Sequence, residues 1–236
     1  MKQVRIVLVN TSHPGNIGAA ARAMKNMGQS DLCLVDPQRY PSAEATARAS
    51  GADDLLARAK CFGTLNGAIA DAVLVIGASA RSRSLPLPML DPRACAKLVY
   101  EQPDTKTVAI LFGRERTGLS NEELDRCHYL VQIPSNPEYS SLNIAAAVQI
   151  IVYELSLLAG DQVNAGQTGI DYATAQQMEQ FYDHLEETLV ELEFLDPVNP
   201  KQLMRRLRRL FGRTRPDQNE INILRGILTA MNKKCR

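Results

Sequence analysis

With 236 residues, 45% of them hydrophobic, the chain can build one large or two modest domains around an apolar core. Its net charge is +1, no apolar run reaches the roughly 18–20 residues of a membrane span, and "MKQVRIVLVNTSHPG" reads as a short strand rather than a secretory leader. Five cysteines with no CxxC pair (Cys33, Cys61, Cys95, Cys127, Cys235) and three scattered histidines (His13, His128, His184) argue against a disulfide framework or a zinc site, and for reduced thiols in a cytoplasmic protein.

In chain order, "VRIVLV" (4–9) predicts a first strand and residues 16–27 a helix. "DLCLVD" (31–36) is a second strand, followed by helical stretches at 43–59 and 64–70. "AVLVIGAS" (72–79) is a third strand, with a helix at 91–101. "VAILFG" (108–113) and "YLVQIP" (129–134) complete the strands, with helices at 120–126 and 141–159. The strands are rich in Val, Ile and Leu without strict alternation, as expected of a parallel sheet buried on both faces. Residues 1–160 therefore predict an α/β domain.

Residues 161–171 are polar and Gly-rich and read as a linker. Residues 172–236 predict a small all-helical unit. Thr174 and Gln177 have capping-box spacing, and Met178, Phe181, Tyr182, Leu185, Leu189 and Leu192 form a helical stripe. Leu203, Met204, Leu207, Leu210 and Phe211 form a second stripe. Asp217 and Glu220 open a third helix carrying Ile221, Leu224, Leu228 and Met231. Charge is segregated here: residues 161–200 carry 9 acidic and 0 basic residues, and residues 201–236 carry 11 basic and 2 acidic. Two readings stand: a polyanionic partner for the basic segment, or pairing with its acidic neighbour.

Ligands of open α/β sheets bind beyond the carboxyl ends of strands. Four loops lie there. No GxGxxG follows the first strand, so a dinucleotide site is unsupported. "NTSHPGNIGAAARAM" places Gly15, Asn16 and Gly18 before Ala19, Ala20, Ala21 and Ala23, a pattern for close helix–sheet packing. Arg22, one turn into that helix, is either a salt-bridge partner or a group at the crevice. Gly113 and Gly118 have P-loop spacing, but Leu119 stands where the lysine is needed. A turn capped by Ser120, with Glu122 and Glu123 at the helix dipole, is favoured for that loop alone. "IPSNPEYSSLN" exceeds the ~2–6 residues of a plain connection. It is either a prolonged turn or a ligand loop, with Ser140 and Ser141 capping the helix or binding.

Together "NIGAAARAM", "LFGRERTGLSNEEL" and "IPSNPEYSSLNIAAAVQI" resemble the three motifs of the SPOUT superfamily of RNA methyltransferases, in order and in strand-end position. "SARSRSLPLPMLDPR" and "LRRLFGRTRPDQNEINILRGIL" extend the resemblance to its bacterial tRNA 2′-O-methyltransferases over almost the whole chain. The resemblance implies a deep trefoil knot, which periodicity does not reveal. It implies S-adenosyl-L-methionine held by Ala78, Ser79, Ala80, Gly113, Ile133, Ser140, Ser141 and Leu142, with Asn143 and Glu115 as supports. Ala78 stands where related sequences commonly have Thr, which removes one hydroxyl contact. Arg22 and Ser141 match catalytic positions. A guanidinium stays protonated, so Arg22 would act through a phosphate or by stabilising a developing alkoxide. Arg81, Arg83, Arg114 and Arg116, and on the helical unit Arg205, Arg206, Arg208, Arg209, Arg213 and Arg215, become candidates for tRNA phosphates. A homodimer, no metal, no DNA, and modification of cytidine or uridine at anticodon-loop position 32 are also implied. The alternatives are another tRNA or rRNA ribose, an RNA-binding protein without catalysis, or, against Leu119, an NTPase.

Overall fold

The computed structural model describes residues 2–79, 87–161 and 171–235. Its strands are β1 (Arg5–Val9), β2 (Leu32–Val35), β3 (Lys60–Phe62), β4 (Ala72–Ala78), β5 (Met89–Leu90), β6 (Thr107–Phe112) and β7 (Tyr129–Val131). They form one sheet in the order β3-β2-β1-β6-β4-β7-β5, and every pairing is parallel. Both faces are covered. In β1, Ile6 and Leu8 enter one apolar cluster and Val7 and Val9 the other. Alternate side chains point to opposite faces, so a strand covered twice shows no polar alternation.

The helices of this part are α1 (Pro14–Asn26), α2 (Ala43–Ala49), α3 (Asp53–Arg58), α4 (Leu65–Ile69), α5 (Pro92–Tyr100), α6 (Asn121–Leu124) and α7 (Ile144–Asp161). The helix expected at 43–59 is two helices, because Ser50 adopts a left-handed conformation (φ 46°) at the end of α2 and Gly51 follows with φ 92°. β3 and β5 were not anticipated; at three and two residues they are too short to leave a periodic signal. β7 stops at Val131, before the expected Pro134, so Ile133 belongs to the following loop. Gly18 packs against a helix rather than a strand: a Cβ on it would lie 2.0 Å from the Ala45 carbonyl oxygen of α2.

The C-terminal helices are α8 (Ala175–Glu191), α9 (Leu203–Thr214) and α10 (Gln218–Cys235). They share an apolar cluster centred on Phe181, with Met178, Tyr182, Leu185, Ile221 and Leu228. Leu192, Leu210 and Met231, expected in the same stripes, are exposed. Both capping pairs form: Thr174 with Gln177, and Asp217 with Glu220. The helical part docks on the sheet part. The Gln176 amide donates to the Ala70 carbonyl at 3.1 Å, Arg126 pairs with Glu179 at 3.1 Å, and Arg205 pairs with Asp125 at 2.7 Å. Of the expected linker, residues 162–170 lie outside the described residues.

Candidate active site

β6, β4 and β7 are neighbours in the sheet, and their carboxyl ends open into a cavity of about 170 Å³. Phe112, Val131, Ile144 and Ala147 give it apolar walls. Ala78 and Ser79 enter from the end of β4, and residues 113–118 from the loop after β6. Ile133, Ser140, Ser141 and Leu142 close it from the loop after β7. Of the eight residues expected to hold a cofactor, seven line this one space. Ala80 lies outside the described residues.

The loop after β6 is a closed turn. The Arg114 amide donates to the Gly118 carbonyl at 3.1 Å and the Gly118 amide returns the bond at 2.9 Å. The backbones approach so closely that a Cβ on Gly113 would lie 2.2 Å from the Leu119 nitrogen. Two amides that a phosphate cradle would present are therefore used inside the turn, a second reason beside Leu119 against nucleotide hydrolysis. Ser120 and Glu123 form a capping box on α6, and Glu123 also takes Arg114 at 3.0 Å.

Glu115 joins this loop to α1. Its carboxylate accepts from Ser12 Oγ at 2.9 Å, Asn16 Nδ2 at 3.0 Å and the His13 amide at 3.1 Å. Partial burial pushes its pKa up, but the hydrogen bonds from Asn16, its own amide, His13 and Ser12 outweigh that and bring it down to about 2. Asn16 Oδ1 in turn accepts from Asn143 Nδ2 at 2.9 Å. Asn143 Oδ1 also takes the Ala145 amide at 2.9 Å at the start of α7. Of the two roles open to the serines, this leaves the second: Asn143 holds the helix start, while Ser140 and Ser141 line the cavity. Glu115 and Asn143 tie all three loops into one frame through Asn16. Only a side-chain amide, donor and acceptor together, beside a Gly-rich turn hinted at that role for Asn16.

Arg22 is the ninth residue of α1, about 12 Å along the axis from Pro14, not one turn in. It is exposed, does not line the cavity, and no hydrogen bond or ion pair holds it among the described residues. Ser141 is exposed at the cavity rim. Arg81 and Arg83 lie outside the described residues. Arg116 is exposed beside the cavity, whereas Arg114 is engaged with Glu123. On α9, Arg206 is exposed, Arg209 is half-buried, and Arg205 and Arg208 are bound to carboxylates, Asp125 and Glu179. Part of the basic segment thus pairs with the acidic segment and the sheet part. Among the described residues no group of His, Cys, Asp or Glu could hold a metal, and no helix is long and apolar enough to cross a membrane.

The model of the SpoU rRNA methylase family matches residues 3–153, and that of the TrmJ tRNA methyltransferase C-terminal domain matches residues 176–236. The chain is 49% identical to the tRNA (cytidine/uridine/adenosine-2′-O-)-methyltransferase TrmJ of Pseudomonas aeruginosa, covering 100% of this chain and 96% of that one. It is 51% identical to the tRNA (cytidine/uridine-2′-O-)-methyltransferase TrmJ of Escherichia coli K12, over 99% and 97%. The crystal structure of TrmJ from Zymomonas mobilis superposes with a TM-score of 0.87 at 35% identity, covering 97% of this chain and 99% of that one.

Proposed function

The chain belongs to the SpoU methylase family and, within it, to the TrmJ methyltransferases, and from that premise we propose that it methylates a ribose 2′-oxygen of tRNA, cytidine or uridine at anticodon-loop position 32. The observation that carries this reading is the single cavity that the second and third motif loops form with the end of β4, to which the hydrogen bonds of Glu115, Asn16 and Asn143 tie the first motif loop. S-adenosyl-L-methionine, when bound, supplies a methyl group already activated on a cationic sulfur. The cavity fits such a group in chemistry: apolar walls for a ring system and small hydroxyls at Ser79, Ser140 and Ser141.

In this reading Ile133, Leu142, Ser79, Ser140 and Ser141 hold the cofactor, and the Glu115 frame fixes the loops after β6 and β7. Orientation of the reacting atoms supplies much of the rate when no metal takes part. Ser141 orients the ribose. Arg22 stabilises the developing alkoxide, or acts through a neighbouring phosphate, since its guanidinium does not give up a proton. Its exposure away from its own cavity supports a homodimer in which α1 of one protomer completes the partner's site. Knotting of residues 132–161 is supported by the sheet order. In that order β7, which follows β6 in the chain, is inserted between β4 and β5. A methyltransferase part at 1–160, a helical RNA-binding part at 172–236 and a cytoplasmic location complete the proposal.

The test is transfer from labelled S-adenosyl-L-methionine to unmodified tRNA transcripts, with the alkali-resistant site mapped. Label at position 32 is the expected result. Label at another ribose keeps the chemistry and replaces the target. No label, with the cofactor demonstrably bound, means another RNA; no cofactor binding overturns the enzyme reading.

A further inference from the structure

The arginines at 205–215 look alike in sequence, yet the structure divides them. Arg205 sets its guanidinium against Asp125 of the sheet part with two bonds, at 2.7 and 3.1 Å. Arg208 does the same on Glu179, at 2.6 and 3.0 Å, and lies 4.4 Å above the Tyr182 ring. Glu179 also takes Arg126 from the sheet part, so Arg208, Glu179 and Arg126 form a bridge across the seam. Arg215 leaves α9 in a left-handed conformation, stacks 4.2 Å over Tyr172, and donates to Gln102 Oε1 at 2.7 Å beneath the sheet part. Arg206 and Arg213, seven residues apart and therefore about two turns along one face of α9, are exposed.

On the premise that tRNA is the substrate, we infer that α9 is two-sided: Arg205, Arg208 and Arg215 are positioning residues that lock the helical part onto the sheet part, and Arg206 and Arg213 form the face that takes RNA phosphates. The first set does not exchange its carboxylates for phosphates. The Asp125 and Glu179 side chains retain only 11% and 24% exposure; removing Arg205 would leave the shielded Asp125 charge without its arginine, and removing Arg208 would leave Glu179 with Arg126 alone. A planar fork on a carboxylate also has a different tolerance from a phosphate contact. Lysine supplies a point charge that serves a phosphate, but it cannot reproduce a two-bond fork. The two sets therefore differ in what lysine rescues.

The experiment measures tRNA affinity across salt concentrations, S-adenosyl-L-methionine affinity, and the radius of gyration of the full chain. Cofactor affinity serves as the check on folding in every variant. For the double variant Arg206→Ala/Arg213→Ala, the expected result is weaker tRNA binding and a log K against log salt slope shallower by about one to two, the value of two lost phosphate contacts. The radius of gyration stays the same, and lysine at both positions restores the slope. For Arg205→Ala and Arg208→Ala, the expected result is an expanded chain and weaker tRNA binding with an unaltered slope, which lysine does not restore. An unchanged slope in the first variant, or a compact chain with full tRNA affinity in Arg205→Lys and Arg208→Lys, overturns the division while leaving the enzyme reading intact. Failure of the wild-type chain to bind tRNA at all overturns both.

Discussion

Asn143 donates from Nδ2 to Oδ1 of Asn16 at 2.9 Å, across 127 residues of chain. Each amide uses both ends. Asn16 gives its own Nδ2 to Glu115, and Asn143 holds the Ala145 amide with its Oδ1. The cavity loops thus hang on two neutral side chains and one carboxylate.

Glu115→Gln keeps the shape of that carboxylate and removes its charge. One of its two polar ends then becomes a donor facing donors: Ser12, His13 and Asn16. The expected result is a loss of about ten- to a hundredfold in kcat/KM, the scale of a displaced positioning group. Steady-state methyl transfer at pH 7 is the check, and wild-type kinetics would remove Glu115 from the frame.

Arg22→Ala should bind S-adenosyl-L-methionine normally, since Arg22 does not line the cavity. It should lose about 10²–10⁴-fold in kcat, the range for loss of a group assisting proton removal. Calorimetric binding and single-turnover transfer separate the two effects. Full turnover would end the catalytic assignment.

Gly18→Ala tests packing away from the cavity. A methyl group there meets the Ala45 carbonyl at 2.0 Å, so α1 and α2 must separate. Overpacking of this kind costs about 1–3 kcal/mol. Unfolding in denaturant should show a lower midpoint with the slope unchanged; an unaltered midpoint would mean that the helices part freely.

His128 predicts an acid weakness. It is half-buried and accepts the Val75 amide at Nδ1, at 3.0 Å, so it is neutral in the fold. Burial first, and then the charge of Arg215, lower its pKa from 6.5 to about 4. Between those values the unfolded chain binds a proton that the folded chain does not, so stability is full above 6.5 and falls as the pH drops toward 4. About 2 kcal/mol should be lost between pH 7 and pH 5 on this account. Glu115 acts in a separate window: its pKa is held below the ordinary 4.5, so its contribution persists above that value and disappears toward 2. Denaturation at both pH values for wild type and His128→Asn is the measurement, and equal pH dependence in the two would exclude His128 as the source.

The parts of the fold legible in sequence are those where many residues repeat one instruction. β1, β4 and β6 are apolar runs, and the Phe181 stripe of α8 returns every helical turn. β3 and β5 carry too few residues to repeat anything. The cavity residues were reached through loop resemblance rather than periodicity. Their frame escaped because an amide of Asn16 and one of Asn143, far apart in sequence, become partners only after the sheet has ordered its strands. The arginines of α9 divide for a similar reason: nothing in "RRLRRLFGRTR" indicates that Asp125 waits opposite Arg205.

The slot of β7 between β4 and β5 also bears on how the molecule is made. A ribosome releases β4 and β5 before β6, α6 and the strand that must separate them. Until then β4 and β5 face an unfilled slot next to the sheet's edge, and their unpaired edges invite premature closure or attachment to another chain. The cofactor walls supplied by Val131, Ile133 and Ile144 arrive with that last strand and the segment after it. The site is thus among the last parts of the sheet half to assemble, and a chain cut short before β7 has neither a closed sheet nor a place for the methyl donor.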